Sequence, residues 1–247
     1  MSTTKKEKIG ETFISSQGEV IRVVEYFNPQ NCTIIFNEKD IFYNKVYGNV
    51  KKGSVKNPNY PNIFNIGFIG DGIYKSRYKG KLTKEYSSWK NMLSRCYDGK
   101  NPTYRDITIC DEWKCFQNFA KWSYENYKSH MEKWNLDKDI LIKENKVYSP
   151  KTCCFVPHEI NMLFVKSEKT RGNLPIGVTK NHKRYQATIG IDRGRVNLGT
   201  YGTPKEAFQA YKIGKEEYIK EIADKWKPQI TRETYQALIN HRVQITD

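Results

Sequence analysis

Nowhere in the 247 residues is there a run of about 18 apolar side chains, the length a membrane-crossing helix needs. The opening Met1-Ser-Thr-Thr-Lys-Lys-Glu-Lys holds no apolar stretch, so no secretory signal is expected. Cysteine pairs at the spacing of a zinc knuckle are missing as well. Cys32, Cys96, Cys110, Cys115, Cys153 and Cys154 form no Cys-x-x-Cys knuckle, and no His-x-x-x-His pair follows one. Structural zinc usually uses such pairs, because two ligands from one turn pre-organise half of a tetrahedron. The adjacent Cys153 and Cys154 would strain as a disulfide, and a cytosolic chain keeps its thiols reduced. Buried thiols are therefore favoured over a zinc site built from Cys96, Cys110 and Cys153.

Acidic residues are scarce: 27 Asp plus Glu stand against 42 Lys plus Arg, a net charge of +15. That balance points to a polyanionic partner, most directly nucleic acid, although a basic chain can also be merely well solvated. Hydrophobic residues make up 38%, but aromatics reach 13%, and aromatics bury enough area per residue to sustain a core. The expectation is a cytoplasmic protein with no membrane partner and no small-molecule substrate.

Periodicity gives an α+β chain in three domains. Residues 1–80 read as a small antiparallel β domain with a loop. Its strands fall at 12–14, 20–26, 32–36 and 45–50, and Asn28-Pro-Gln-Asn makes one of the turns. The Gly-, Asn- and Tyr-rich stretch 57–80 reads as a connection. Gly67, Gly70 and Gly72 lack the spacing of a nucleotide loop. A helix is expected over 84–95 with Tyr86, Trp89 and Leu93 on one face. Another is expected over 111–127 with Trp113, Phe116, Ala120 and Tyr124 inward. Residues 136–142 read as a strand, 143–146 as a turn and 147–156 as an extended return. Pro157 then stands at the first position of a helix carrying His158, Glu159 and Asn161. This central segment, 81–166, thus ends in a β-β-α unit, and residues 166–172 read as a linker.

The last domain, 167–247, is the most legible. Residues 176–179, 184–191 and 195–201 read as three strands, with turns at 180–183 and 192–194. Strict alternation puts Tyr185, Ala187, Ile189, Val196 and Leu198 on one face, and Arg184, Gln186, Thr188, Arg195 and Asn197 on the other. Thr203-Pro-Lys-Glu is a capping box, and Ala207, Tyr211, Gly214, Tyr218 and Ile222 recur at helical spacing behind it. Small Ala207 and Gly214 let that helix lie close on the apolar face. The polar face then lacks a partner in its domain, and its arginines, glutamine and asparagine suit guanine and adenine edges in a major groove. Lys180, Lys183 and Arg193 in the turns suit phosphates. A short helix over 231–239, docking Tyr235 and Leu238, ends the chain.

Two resemblances bear on function. Pro175-Ile-Gly-Val, Arg184-Tyr-Gln-Ala-Thr-Ile, Asn197-Leu-Gly-Thr-Tyr and Thr203-Pro-Lys-Glu-Ala-Phe-Gln-Ala-Tyr resemble the ethylene-response-factor (Apetala-type) DNA-binding domain. That resemblance implies a three-stranded sheet that reads the major groove, backed by one helix. The family's usual tryptophan on strand two or three is absent here.

Further upstream, Trp89-Lys-Asn-Met-Leu-Ser-Arg-Cys-Tyr, Ile109-Cys-Asp-Glu-Trp, Phe116-Gln-Asn-Phe, Leu136-Asp-Lys-Asp, Tyr148-Ser-Pro-Lys-Thr-Cys and Phe155-Val-Pro-His-Glu-Ile-Asn resemble phage HNH-type homing endonucleases. That implies a DNA-associated protein of a bacterial host cell with a β-β-α fold around one divalent metal, Mg or Mn. Asp137 and Asn161 match the metal ligands, and Lys138 stands where the family places its catalytic His. A lysine near pKa ~10.4 stays protonated at neutral pH and takes no proton from water, so Lys138 serves as base only if strongly depressed. Otherwise it clamps phosphate. His158, one turn before Asn161, is a partial substitute. The implied functions are a metal-dependent DNA endonuclease directed by the C-terminal sheet or a DNA-binding regulator that has lost cleavage.

Overall fold

Two-residue and longer polar turns dictate the first layer of the protein, a meander of four antiparallel strands. A computed structural model of the chain describes residues 7–126, 133–165, 173–191 and 194–245, and the fold is α+β. It divides into two units, Met1–Ser123 and Tyr124–Asp247.

In the first unit, β1 (Thr12–Ile14), β2 (Val20–Asn28), β3 (Asn31–Phe36) and β4 (Asp40–Lys45) pair in chain order. Pro29 and Gln30 turn β2 into β3, and Asn28 Oδ1 accepts the Gln30 N–H at 2.9 Å. Ile21 and Val23 of β2 point into a core with Cys32, Ile34, Phe36, Phe42 and Val50. The strand expected at 45–50 lies earlier. Asn37 and Glu38 both adopt left-handed backbone (φ 47° and 58°), so the chain reverses at once and Asp40 pairs with Phe36. A short helix, α1 (Tyr47–Lys51), comes after β4 and places Val50 in that core.

The stretch expected as a plain connection carries a hairpin, β5 (Arg77–Tyr78) and β6 (Lys81–Leu82). It leads into α2 (Lys84–Tyr97), whose N-cap Thr83 accepts the Tyr86 N–H on Oγ1. Gly67 lies so close to this helix that a Cβ would stand 2.6 Å from Leu93 Cδ1. Trp89 and Leu93 are fully buried, and Trp89 Nε1 donates to the Trp113 carbonyl at 2.7 Å.

After β7 (Thr108–Ile109), the helix expected over 111–127 is two helices, α3 (Asp111–Lys114) and α4 (Phe116–Asn126). Residue 127 lies outside the described residues. Cys115 between them is extended (φ −84°, ψ 122°) because Phe68 bridges it: the Phe68 N–H donates to Lys114 and its carbonyl accepts from Phe116. The break resets the helical phase. Trp113, Phe116 and Ala120 point inward as expected and Phe119 joins them, whereas Tyr124 is 71% exposed. No helix among the described residues is long and apolar enough to cross a membrane.

The second unit contains β8 (Trp134–Asp137), β9 (Val147–Tyr148), β10 (Cys154–Pro157) and α5 (His158–Met162). It continues with the sheet β11 (Val178–Asn181), β12 (Arg184–Ile191) and β13 (Gly194–Tyr201), and the helices α6 (Pro204–Trp226) and α7 (Arg232–Ile239). One core joins these elements apart from β9: Cys154, Val156 and Ile160 cluster with Val178, Ala187, Ile189 and the inward face of α6. Lys225 Nζ and Trp226 Nε1 of α6 both donate to the Glu159 carboxylate of α5, at 2.8 and 2.6 Å. Tyr235 of α7 donates its hydroxyl to Asp224 of α6 at 2.7 Å. The division at residue 123 therefore falls inside the segment expected as a middle domain, because its β-β-α part packs into the C-terminal core. The linker expected at 166–172 lies outside the described residues.

Candidate nucleic-acid interface

Register, more than propensity, decides which side chains of the C-terminal sheet share a face. β11, β12 and β13 pair antiparallel in order. Val178 lies opposite Ala187, and Ile189 opposite Val196; α6 covers Val178, Ala187 and Ile189 on that side, while Val196 stays exposed. The other side collects Thr179 beside Gln186, Asn181 beside Arg184, and Thr188 beside Asn197. Arg195 and Thr200 share that side. Arg184, Arg195, Asn181 and Asn197 are exposed, while Gln186 and Thr188 are half-buried at the sheet's centre. Neither Arg184 nor Arg195 makes an ion pair with a described residue. No described residue thus neutralises these guanidinium groups.

Two features refine the expected face. Strand one begins at Val178 rather than 176, since Gly177 takes φ +74° and lies against the Tyr211 ring, where a Cβ would stand 2.0 Å from Cδ2. The hairpin consequently turns on His182 (φ 51°) and Lys183 alone. Lys180 is inside β11 opposite Tyr185, on the helix side, whereas Lys183 stays in the exposed turn. The second feature is a bulge. Ala187 faces Gly199 but Thr188 faces Asn197, so Leu198 is an extra residue. Asn197 Oδ1 accepts the Gly199 N–H at 2.9 Å, leaving its amide donors for a ligand. Leu198 packs down on Gly214 of α6, where a Cβ would stand 2.9 Å from Leu198 Cδ1. The bulge adds Thr200 to the polar face. Thr179, Asn181 and Thr200 escape a reading of the sequence, because the apolar pattern starts strand one two residues early and a bulge leaves no mark in the alternation. Arg193 lies outside the described residues.

Behind Thr203 the capping box is complete: Thr203 Oγ1 accepts the Glu206 N–H and Glu206 accepts the Thr203 N–H. Ala207, Tyr211, Tyr218 and Ile222 are buried, as their spacing predicts.

The β-β-α segment is realised in a shifted register. β8 pairs antiparallel with β10, Asp137 facing Cys154 and Asn135 facing Val156. β8 starts at Trp134 and stops at Asp137, not 142, because Asp137 Oδ1 accepts the backbone N–H groups of Asp139 and Ile140 at 2.8 and 2.9 Å and bends the chain. Pro157 is the N-cap of α5 rather than its first helical residue, with ψ 150°.

Partial burial pushes the Asp137 carboxyl above the usual carboxylate range, against the two backbone donors that pull it down. Lys138 is only 8% exposed, and its ammonium donates to Asp139 Oδ1 (2.6 Å) and to the Asn145 carbonyl (2.8 Å). His158 is exposed, with Nδ1 3.4 Å from Asn135 Nδ2, and Asn161 is half-buried on α5. These donors fit a resident metal poorly: Asp137, the one carboxylate of the expected pair, already spends an oxygen on the turn and its charge is disfavoured by burial. Among the described residues no group of three His, Cys, Asp or Glu gathers to hold an ion. Cys153 and Cys154 are buried and Cys96 and Cys110 half-buried, and burial pushes the Cys154 thiol up to about 12.

The chain matches no family model, no curated protein and no solved structure.

Proposed function

We propose that this protein binds double-stranded DNA through the open face of its C-terminal sheet. The observation that carries the reading is the register. It gathers Arg184, Gln186, Thr188, Arg195 and Asn197 on one face of β12 and β13 while α6 takes the other. Arginine offers two donors to a guanine edge, and asparagine or glutamine a donor and an acceptor to adenine. The net charge of +15 supplies the long-range attraction to a polyanion. The test is duplex binding by the intact chain against an R184A/R195A double variant on a selected and a scrambled sequence. The reading expects the variant to lose preference between the two; unchanged preference would refute it.

A second reading, metal-dependent cleavage at the β-β-α unit, is favoured by the order β8, β10, α5 with Asp137 closing the first strand and Asn161 on the helix. Divalent Mg or Mn belongs to this reading alone. The donor set argues for binding without cleavage as the better account. Plasmid nicking with each ion decides, and D137N is the informative control, since it retains the Oδ1 acceptor of the turn and removes the charge. Nicking by the wild type that D137N abolishes would establish the second reading.

A further inference from the structure

Twelve residues of the first unit, 73–84, read Ile-Tyr-Lys-Ser-Arg-Tyr-Lys-Gly-Lys-Leu-Thr-Lys: five cations and no acid. The fold draws them into one ribbon. Lys79 and Gly80 both take left-handed backbone (φ 47° and 78°), the requirement of a tight two-residue hairpin turn, so Arg77 pairs with Leu82 and Tyr78 with Lys81. Arg77 Nη1 donates to the Gly80 carbonyl at 3.0 Å, holding its guanidinium near the tip. At the base, Thr83 Oγ1 donates to the Lys75 carbonyl at 3.0 Å, where α2 begins. Lys75, Arg77, Lys79 and Lys81 are all exposed, and none of the four makes an ion pair with a described residue. Tyr78 is 68% exposed, with Lys79 Nζ 5.4 Å from its ring centroid.

A lone two-stranded hairpin is marginal in water, and like charges crowded onto it repel. No described acid neutralises this concentration of charge, whereas a phosphate backbone would. The partner chemistry comes from residue type. Lysine is a point charge without the planar fork that reads a base edge, so a lysine-dominated ribbon suits phosphates. A two-stranded ribbon is also narrow enough to enter a duplex groove.

We propose that the β5–β6 hairpin is a second contact to duplex DNA, one that grips the backbone and carries no sequence preference. It rests on the reading that the chain binds DNA, and it adds a contact from a different unit. The experiment uses the full chain and duplexes of two sequences over a salt series. It compares wild type, the hairpin variant K75Q/R77Q/K79Q/K81Q, the charge-keeping variant K75R/K79R/K81R, and R184A/R195A.

The hairpin variant is expected to bind both sequences at least about tenfold more weakly at low salt, with a log K against log salt slope shallower by up to about four. The charge-keeping variant should match wild type. If both hairpin variants lose binding, the effect is structural and the proposal is overturned. If the neutral hairpin variant binds like wild type while R184A/R195A loses preference, the hairpin proposal fails and the sheet reading stands. The converse result keeps the hairpin and removes the sheet. Wild type that binds no duplex removes both. Loss of binding to anionic lipid vesicles with duplex binding intact would assign the ribbon to membranes and overturn it equally.

Discussion

Arg184 and Lys183 are chain neighbours with different placements. Lys183 is in an exposed two-residue turn, while Arg184 is the first residue of β12, on the polar face beside Asn181. Arg184→Ala should therefore cost roughly 1–3 kcal/mol of discrimination between a preferred and a scrambled duplex. Lys183→Ala should instead weaken both sequences alike, and competition binding on the two duplexes separates these outcomes. Gly177 supports the same face from behind. It holds a left-handed φ and its missing Cβ makes room for the Tyr211 ring. Gly177→Ala should lower stability by about 2–4 kcal/mol, from backbone strain and overpacking together, read as a lower denaturant midpoint.

At the scale of elements, Asp137 shows how one side chain ends a strand. Two backbone N–H groups converge on its Oδ1. Asp137→Asn keeps an acceptor there and removes a charge that burial disfavours, so it should melt at or above the wild type. Asp137→Ala loses both bonds and should cost about 1–3 kcal/mol. The pH dependence has a defined sign. A carboxyl with a raised folded-state pKa binds its proton more tightly in the folded state, so wild-type stability falls as pH rises from the unfolded value of about 3.9 through that raised value. The advantage of Asp137→Asn should widen over the same interval and level off above it; melting curves at stepped pH report this.

The elements also show what is legible in sequence. Tyr185, Ala187 and Ile189 alternate with polar neighbours, and Thr203-Pro-Lys-Glu is a local cap, so β12 and the start of α6 are legible to the residue. β4 is not, because its placement depends on Asn37 and Glu38 entering left-handed backbone, which their identities permit but do not require. The break at Cys115 depends on a bridge from the distant Phe68, and Leu198 bulges because Gly214 leaves a space beneath it. Long-range partners set the break and the bulge, and a window of sequence contains no trace of them. Lys138 is a site-level example: its position suggests chemistry, but Asp139 and Asn145 hold its ammonium.

For the whole molecule, a net charge of +15, an arginine-bearing sheet face and a cationic hairpin make one physical statement about the partner. Each lysine or arginine that meets a phosphate releases condensed counterions, and the affinity then falls as a power of the salt concentration. Titration of the intact chain with duplex DNA across a salt series tests this account most directly. It predicts a log K against log salt slope steeper than about −4, since several contacts at about 0.9 each contribute. A slope near zero, or no binding at low salt, would contradict the nucleic-acid reading as a whole.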